Sequence, residues 1–345
     1  MGGYHMIKTT IAALATCTLA LPVTAESYNL QSAFGKTLPV LGAAADRFVA
    51  NVAALTDGAV EFKHLGAGEL SPAFEIFDNV SVGAIDAAWS FAAYASGKEP
   101  AAALFGSVPF GGEPLQYISW LNHGGGLELW REIYAPYDLV PMACGVILSE
   151  AGGWYTKAIE TPADLQGLNI RIGGLGGDIL SKLGANAMSL PVGEISTSLE
   201  TGRLDATELS FPLVDKLLGF DKVAKNYYFP GWHQPAGFIE FYMNKGKWDA
   251  LTDAQRTAIE VGCNDINLYT LGVAAGAQSE ILQEFRDNGV NVARFPDSVV
   301  DALRNAADEV YAEKSAEDEM FKRVIDSYRA YGEKYREYQA LVALD

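Results

Sequence analysis

The sequence predicts an α/β architecture, and three observations point to it. Short strand-like apolar runs alternate with helical patterns, no fixed-period repeat is visible, and 49% of the 345 residues are apolar against 20% charged. The alternation calls for sheets covered by helices, the missing period removes solenoids and propellers, and the composition supplies cores for roughly two to three domains. A formal charge of −18 with a pI near 4.6 excludes sequence-independent binding to nucleic acid or anionic lipid, which needs Lys and Arg against phosphate.

Residues 1–25 read as a secretory signal peptide: Lys8, an apolar run from Ile11 to Leu21, Pro22, and the small-residue ending Val23-Thr24-Ala25. The run is shorter than the roughly 20 apolar residues that span a bilayer, so an exported protein is expected. Asp46 to Ala54 has helical apolar spacing at Phe48, Val49, Val52 and Leu55, followed by a Thr56-Asp57-Gly58 turn and a strand from Ala59 to His64. Ser71-Pro72-Ala73-Phe74-Glu75 has a helix-start signature with Ser71 as the cap, and Asp86 to Phe91 is a buried strand. Thr161 to Leu165 opens a short helix and Leu168 to Ile172 is a strand. A loop of Gly173, Gly174, Gly176 and Gly177 then precedes a helix from Asp178 to Leu183. Such a loop is either a plain tight turn or a place where backbone N–H groups at a helix N-terminus meet an anion. Phe238 to Met243 is a strand, and Thr252-Asp253-Ala254-Gln255 opens a helix running to about Phe285, long enough to join two lobes.

The last forty residues carry a heptad stripe of Phe321, Val324, Tyr328, Tyr331, Tyr335, Tyr338 and Val342. It suits either the parent body or a second subunit, the latter giving a homodimer through the C-terminal helix. Beyond the leader only Cys144 and Cys263 remain. Export permits them to pair, but their wide separation and the lack of CxxC spacing make two buried free thiols the expectation. His64, His123 and His233 lie far apart with no metal-type spacing, so no transition-metal site is expected. No GxSxG or Walker-type motif occurs.

Five segments in order, Gly66 to Leu70, His123 to Leu129, Arg171 to Gly177, Asp205 to Glu208 and Tyr228 to Trp232, resemble the solute-binding proteins of tripartite ATP-independent periplasmic (TRAP) transporters. The branch they are most similar to binds α-keto and related carboxylates beside a metal ion. The resemblance implies a two-lobed periplasmic-binding-protein fold with mixed sheets, a long interlobe helix and an extra C-terminal helix. Lobe I would take 26–149 and 237–276, lobe II 150–236 and 277–305, and the C-terminal helical region 306–345. It further implies a periplasmic protein without chemistry of its own that hands a small organic monocarboxylate to membrane permease subunits.

By the same resemblance Arg171 grips the carboxylate, where a planar guanidinium offers two parallel charge-assisted hydrogen bonds. Tyr94, Trp232, Gly174 and Glu150 complete the substrate contacts. Glu208, the backbone carbonyl of Leu209 and Gln234 stand at the metal positions, with oxygen donors that suit Na⁺ or Ca²⁺. Two departures concern the ion: the branch's Gly-Trp-Trp-Glu is Gly231-Trp232-His233-Gln234 here, and its Gln before Gly-Gly-Trp is Glu150. Both changes together keep the carboxylate count, so Glu150 and Gln234 are expected to face one another near the ion, with a metal-free site as the alternative. Two others concern size: Val146-Ile147-Leu148 replaces Asn-Thr-Gly, and only Tyr94 remains of an aromatic run. They predict an α-keto or α-hydroxy acid larger or more apolar than pyruvate. The alternative from another class is an exported enzyme acting on organic acids, with Glu208 and Glu150 as acid and base.

Overall fold

The computed structural model describes residues 26–343, so the expected leader lies outside the described residues. Two mixed sheets organise the chain. The first contains β1 (Glu26–Ser32), β2 (Val60–Leu65), β3 (Ala87–Ser90), β4 (Leu139–Ile147) and, later in the chain, Gly237–Asn244; the second contains β5 (Gly153–Tyr155), β6 (Asn169–Arg171), β7 (Asn186–Met188), β8 (Ala206–Thr207) and β9 (Asn226–Phe229). With Gly237–Asn244 as β10 and Asn291–Arg294 as β11, the strand orders are β2-β1-β3-β10-β4 and β11-β9-β5-β8-β6-β7. In the first sheet β1 runs parallel to β2 and β3 while β10 is antiparallel to β3 and β4. In the second, β6 runs parallel to β7 and β8, and β5 is antiparallel to β8 and β9.

The backbone therefore passes from one sheet to the other through the short crossover between β4 and β5, and back through the crossover between β9 and β10. These two segments are clamped together, the Glu150 N–H donating to the Gln234 carbonyl at 3.1 Å. The third passage is the 35-residue helix Asp253–Asp287, started by a Thr252/Gln255 capping box. It lies along β4, an edge strand whose outer backbone groups need partners. Asn267 supplies them, accepting from Gly145 N at 2.7 Å and donating to Ala143 O at 3.1 Å, and Thr270 Oγ1 accepts from Val146 N at 2.8 Å. Polar residues inside this helix thus have a strand edge to satisfy.

The same contact corrects the reading of the cysteines. Cys144 on β4 and Cys263 on the long helix form a disulfide with Cα atoms 4.2 Å apart. Sequence separation says nothing against pairing once a helix is laid on a strand. The helix after β6 also differs from expectation: it begins at Gly174 and ends at Lys182, so the glycines form its first turn instead of a preceding loop. Ser71 is not the cap of its helical turn; its hydroxyl accepts from Asn79 Nδ2 at 2.8 Å.

The C-terminal helix Glu319–Val342 packs mainly on its own chain. Phe321, Val324 and Tyr328 are buried, the Tyr328 hydroxyl accepts from Gly112 N at 2.7 Å, and Tyr335 donates to Glu113 at 3.1 Å. Tyr338 and Val342 stay exposed at the end of the stripe. No helix among the described residues is long and apolar enough to cross a membrane.

Candidate functional site

Parallel strands leave backbone groups and loops at their carboxyl ends, and ligand sites of α/β folds gather there. In this protein the residues following β1, β3, β4, β6 and β8, together with both crossovers, surround a cavity of ≈ 40 Å³ measured as space open to the centres of water molecules. Phe34, Leu41, Phe91, Tyr94 and Ile147 line it from the first sheet. Glu150, Arg171, Gly173, Glu208, Leu209, His233 and Gln234 line it from the crossovers and the second sheet. One wall is mostly apolar and the other carries charge.

Arg171 is the last residue of β6 and is 3% exposed. Two carbonyls fix its guanidinium: Nη1 donates to Glu208 O at 2.6 Å and Nε to Leu190 O at 3.3 Å. Its own carbonyl accepts from Glu208 N at 2.9 Å, which ties the ends of β6 and β8 together. Among the described residues Nη2 takes no carbonyl or carboxylate, leaving that nitrogen and the second Nη1 hydrogen for a ligand. The Glu208 carboxylate lies 3.8 Å from Nη1, too long for a hydrogen bond but close enough for charge attraction.

Three ionisable groups meet beside this guanidinium. His233 Nε2 is 3.0 Å from Glu208 Oε1 and 3.4 Å from Glu150 Oε2. Glu150, Glu208 and His233 are each at least 95% buried. Burial, then the neighbouring Glu208 charge, pushes the Glu150 carboxyl well above its ordinary range. Burial also works to raise Glu208, but the His233 and Arg171 charges outweigh it and hold that carboxyl below the usual value. For His233 burial opposes the charged form, and the two carboxylates overcome it, lifting the imidazole to about 9. The phenol of half-buried Tyr94 is raised by desolvation, countered by the Arg171 charge.

The donor atoms of Glu150, Glu208 and His233 lie within 4.8 Å of one another, a grouping able to hold a cation. Glu208 Oε1 supports that fit: it is buried and lacks a hydrogen-bond partner, because the nearby ring N–H is not directed at it. A buried unpaired carboxylate oxygen is costly unless something positive reaches it.

Of the residues singled out in the sequence, Tyr94, Glu150, Arg171, Glu208, Leu209 and Gln234 line the one cavity. Gly174 and Trp232 stand behind its wall. Gly174 has φ of 57°, and a Cβ there would come within 3.1 Å of the Ala93 Cβ, so glycine lets the helix start close to the first sheet. Trp232 is buried, stacks on Phe110 with centroids 5.8 Å apart, and backs the His233 ring at 5.5 Å. The group facing the Glu150 carboxylate is His233, not Gln234, which meets Glu150 through its backbone. Ile147, not Val146, looks into the cavity; the Val146 side chain is buried elsewhere in the core. Sequence reasoning missed His233 because it weighed histidines against one another. The usable signal was its place beside Gln234, inside a segment already singled out.

Comparison with known proteins identifies the family. Residues 32–318 match the family model DctP, bacterial extracellular solute-binding protein family 7. The chain is 30% identical over 331 residues to the monocarboxylate 2-oxoacid-binding periplasmic protein of Nostoc sp., covering 94% of this chain and 91% of that one. Among solved structures, a TRAP transporter solute-binding protein from Bordetella bronchiseptica with copurified calcium and picolinate is 33% identical, with a TM-score of 0.90 over 92% of this chain and 95% of that one. Another from Pseudoalteromonas atlantica, with bound sodium and pyruvate, is 30% identical, with a TM-score of 0.89 over 92% and 97%. The chain belongs to family 7 of the bacterial extracellular solute-binding proteins, the receptors of TRAP transporters.

Proposed function

We propose that this receptor captures a small monocarboxylate, a 2-oxo or 2-hydroxy acid with an apolar side chain larger than a methyl group, and delivers it to TRAP permease subunits in the membrane. The observation that carries the reading is Arg171. A guanidinium buried at the end of a strand, with two of its nitrogens anchored to carbonyls, is organised before the ligand arrives, so little entropy is lost when a carboxylate takes its remaining hydrogens. Tyr94 is the polar neighbour on the opposite wall, and Phe34, Leu41, Phe91 and Ile147 offer apolar surface for a side chain. Gly174 and Trp232 contribute by shaping the wall that carries Gly173 and His233.

The binding of 2-oxoacids by the Nostoc relative, and of pyruvate or picolinate with sodium or calcium in the two solved relatives, supports both a carboxylate and a cation. Glu150, Glu208, the Leu209 carbonyl and Gln234 are the oxygen donors that would hold the ion, which supplies positive charge beside the ligand.

The test is calorimetric titration of metal-replete protein with a series of 2-oxo acids of growing side chain. Micromolar or tighter binding that strengthens from pyruvate to a branched acid is expected, and recovered ligand should be chemically unchanged after overnight incubation. No binding of any monocarboxylate, or conversion of the acid, contradicts the reading.

A further inference from the structure

The donor set in this cavity is not one of oxygens alone. We propose that the His233 Nε2 atom is itself a ligand of the ion, so that Glu150, Glu208 and His233 form a two-carboxylate, one-imidazole site selective for a first-row divalent cation such as Mn²⁺ or Zn²⁺ over Na⁺ and Ca²⁺. This rests on the reading above only in placing an ion in the same cavity.

Several observations carry it. His233 Nε2 lies 3.0 Å from Glu208 Oε1 and 3.4 Å from Glu150 Oε2, and the donor atoms of the three residues fall within 4.8 Å of one another. Ligand atoms bound at about 2.1 Å are separated by about 3.0 Å at right angles and about 3.4 Å at tetrahedral angles. The longer bonds of calcium, at 2.3–2.6 Å, spread right-angled ligands to roughly 3.3–3.7 Å. Glu208 Oε1, on a residue 4% exposed, takes no hydrogen bond, so its lone pairs are open to a cation. Imidazole nitrogen is a donor that sodium and calcium use little and that zinc and its neighbours prefer, while two carboxylates match a double positive charge.

The backbone that carries the ring is also held in place. The Ser107 hydroxyl donates to the His233 carbonyl at 2.8 Å, and Glu150 N donates to the next carbonyl at 3.1 Å. On the helix after β6, a Cβ at Gly176 would fall 3.1 Å from the His233 Cβ, so the close fit of that helix leaves the ring little room to swing out. A donor carried on a backbone already fixed is suited to ligation, since part of its ordering cost falls on folding and not on metal binding.

The experiment uses the full exported chain stripped with chelator and then offered MnCl₂, ZnCl₂, CaCl₂ or NaCl alone, with metal content by mass spectrometry and affinity by competition. One tightly held Mn²⁺ or Zn²⁺ per chain is expected, bound at least tenfold more tightly than Ca²⁺. His233→Asn should lose at least tenfold in Mn²⁺ and Zn²⁺ affinity while changing Ca²⁺ affinity less, and Glu208→Ala should abolish the site, separating it from surface carboxylates. Should His233→Asn fold poorly, electron spin echo modulation of the Mn²⁺-loaded wild type reads a coordinated imidazole nitrogen directly. Absence of that nitrogen signal, preference for Ca²⁺ or Na⁺, or unaltered Mn²⁺ and Zn²⁺ affinity in His233→Asn overturns the proposal. Carboxylate binding through Arg171 is measured separately and survives that result.

Discussion

Arg171 and Lys would carry the same charge, yet they are not interchangeable here. The guanidinium is anchored by Glu208 O and Leu190 O and still has hydrogens to present, whereas an ammonium is a single point without a fork. Arg171→Lys should weaken carboxylate binding at least thirty-fold, about 2 kcal/mol, in calorimetric titration; retained affinity would mean the carboxylate is held elsewhere. A second buried group is separate from the cavity. Glu240, in the middle of β10, accepts from the Tyr134 hydroxyl at 2.8 Å, and burial lifts its carboxyl to about 8 in spite of that bond. The folded protein then holds this proton more tightly than the unfolded chain, whose carboxyl titrates near 4.5. The contribution is intact below that lower value and is lost progressively as pH rises through about 8. Glu240→Gln keeps an acceptor for Tyr134 and cannot ionise. Its unfolding free energy should match wild type near pH 4 and exceed it at pH 9 by an amount on the order of a few kcal/mol. Parallel decline of the two proteins over that range would show the carboxyl is not neutral in the fold.

At the scale of elements, the two crossovers and the long helix decide where the site falls. Glu150 sits on one crossover and His233 and Gln234 on the other, and the bond between Glu150 N and Gln234 O brings them together. The disulfide pins the helix to β4 and closes a sequence separation of 119 residues. A Cys144→Ser, Cys263→Ser protein should lose about 2 to 4 kcal/mol in urea unfolding, because so long a loop is no longer constrained in the unfolded chain. A loss below about 1 kcal/mol would assign the helix's attachment to Asn267, Thr270 and packing alone. The long helix was legible in the sequence because its capping box and length are local properties. The disulfide was not, since it depends on a helix and a strand meeting across the fold. The glycine run was half legible: its composition announced a close approach, but the partner, the His233 Cβ facing Gly176, belongs to another part of the chain. Arg171, Glu208 and Tyr94 were singled out through motif resemblance and line the cavity, whereas His233 escaped because its partners are spatial.

Across the whole molecule, the apolar wall comes from one sheet and the charged wall from the other and its crossovers, so a ligand is enclosed only when both are present. Arg171, Glu150, Glu208 and His233 are all nearly inaccessible to water as the structure stands. An acid therefore enters only when the walls part, and the crossovers are where the backbone can bend with least loss of sheet structure. That arrangement gives selectivity to contacts made on closing, and it leaves the receptor's charge unexposed once the acid is inside. The most direct measurement is a crystal structure of the protein grown with a saturating branched 2-oxo acid. The account predicts the carboxylate within hydrogen-bond distance of Arg171 Nη1 and Nη2 and the side chain against Phe34, Phe91 and Ile147. A bound acid whose carboxylate meets other donors, with the guanidinium unoccupied, contradicts it.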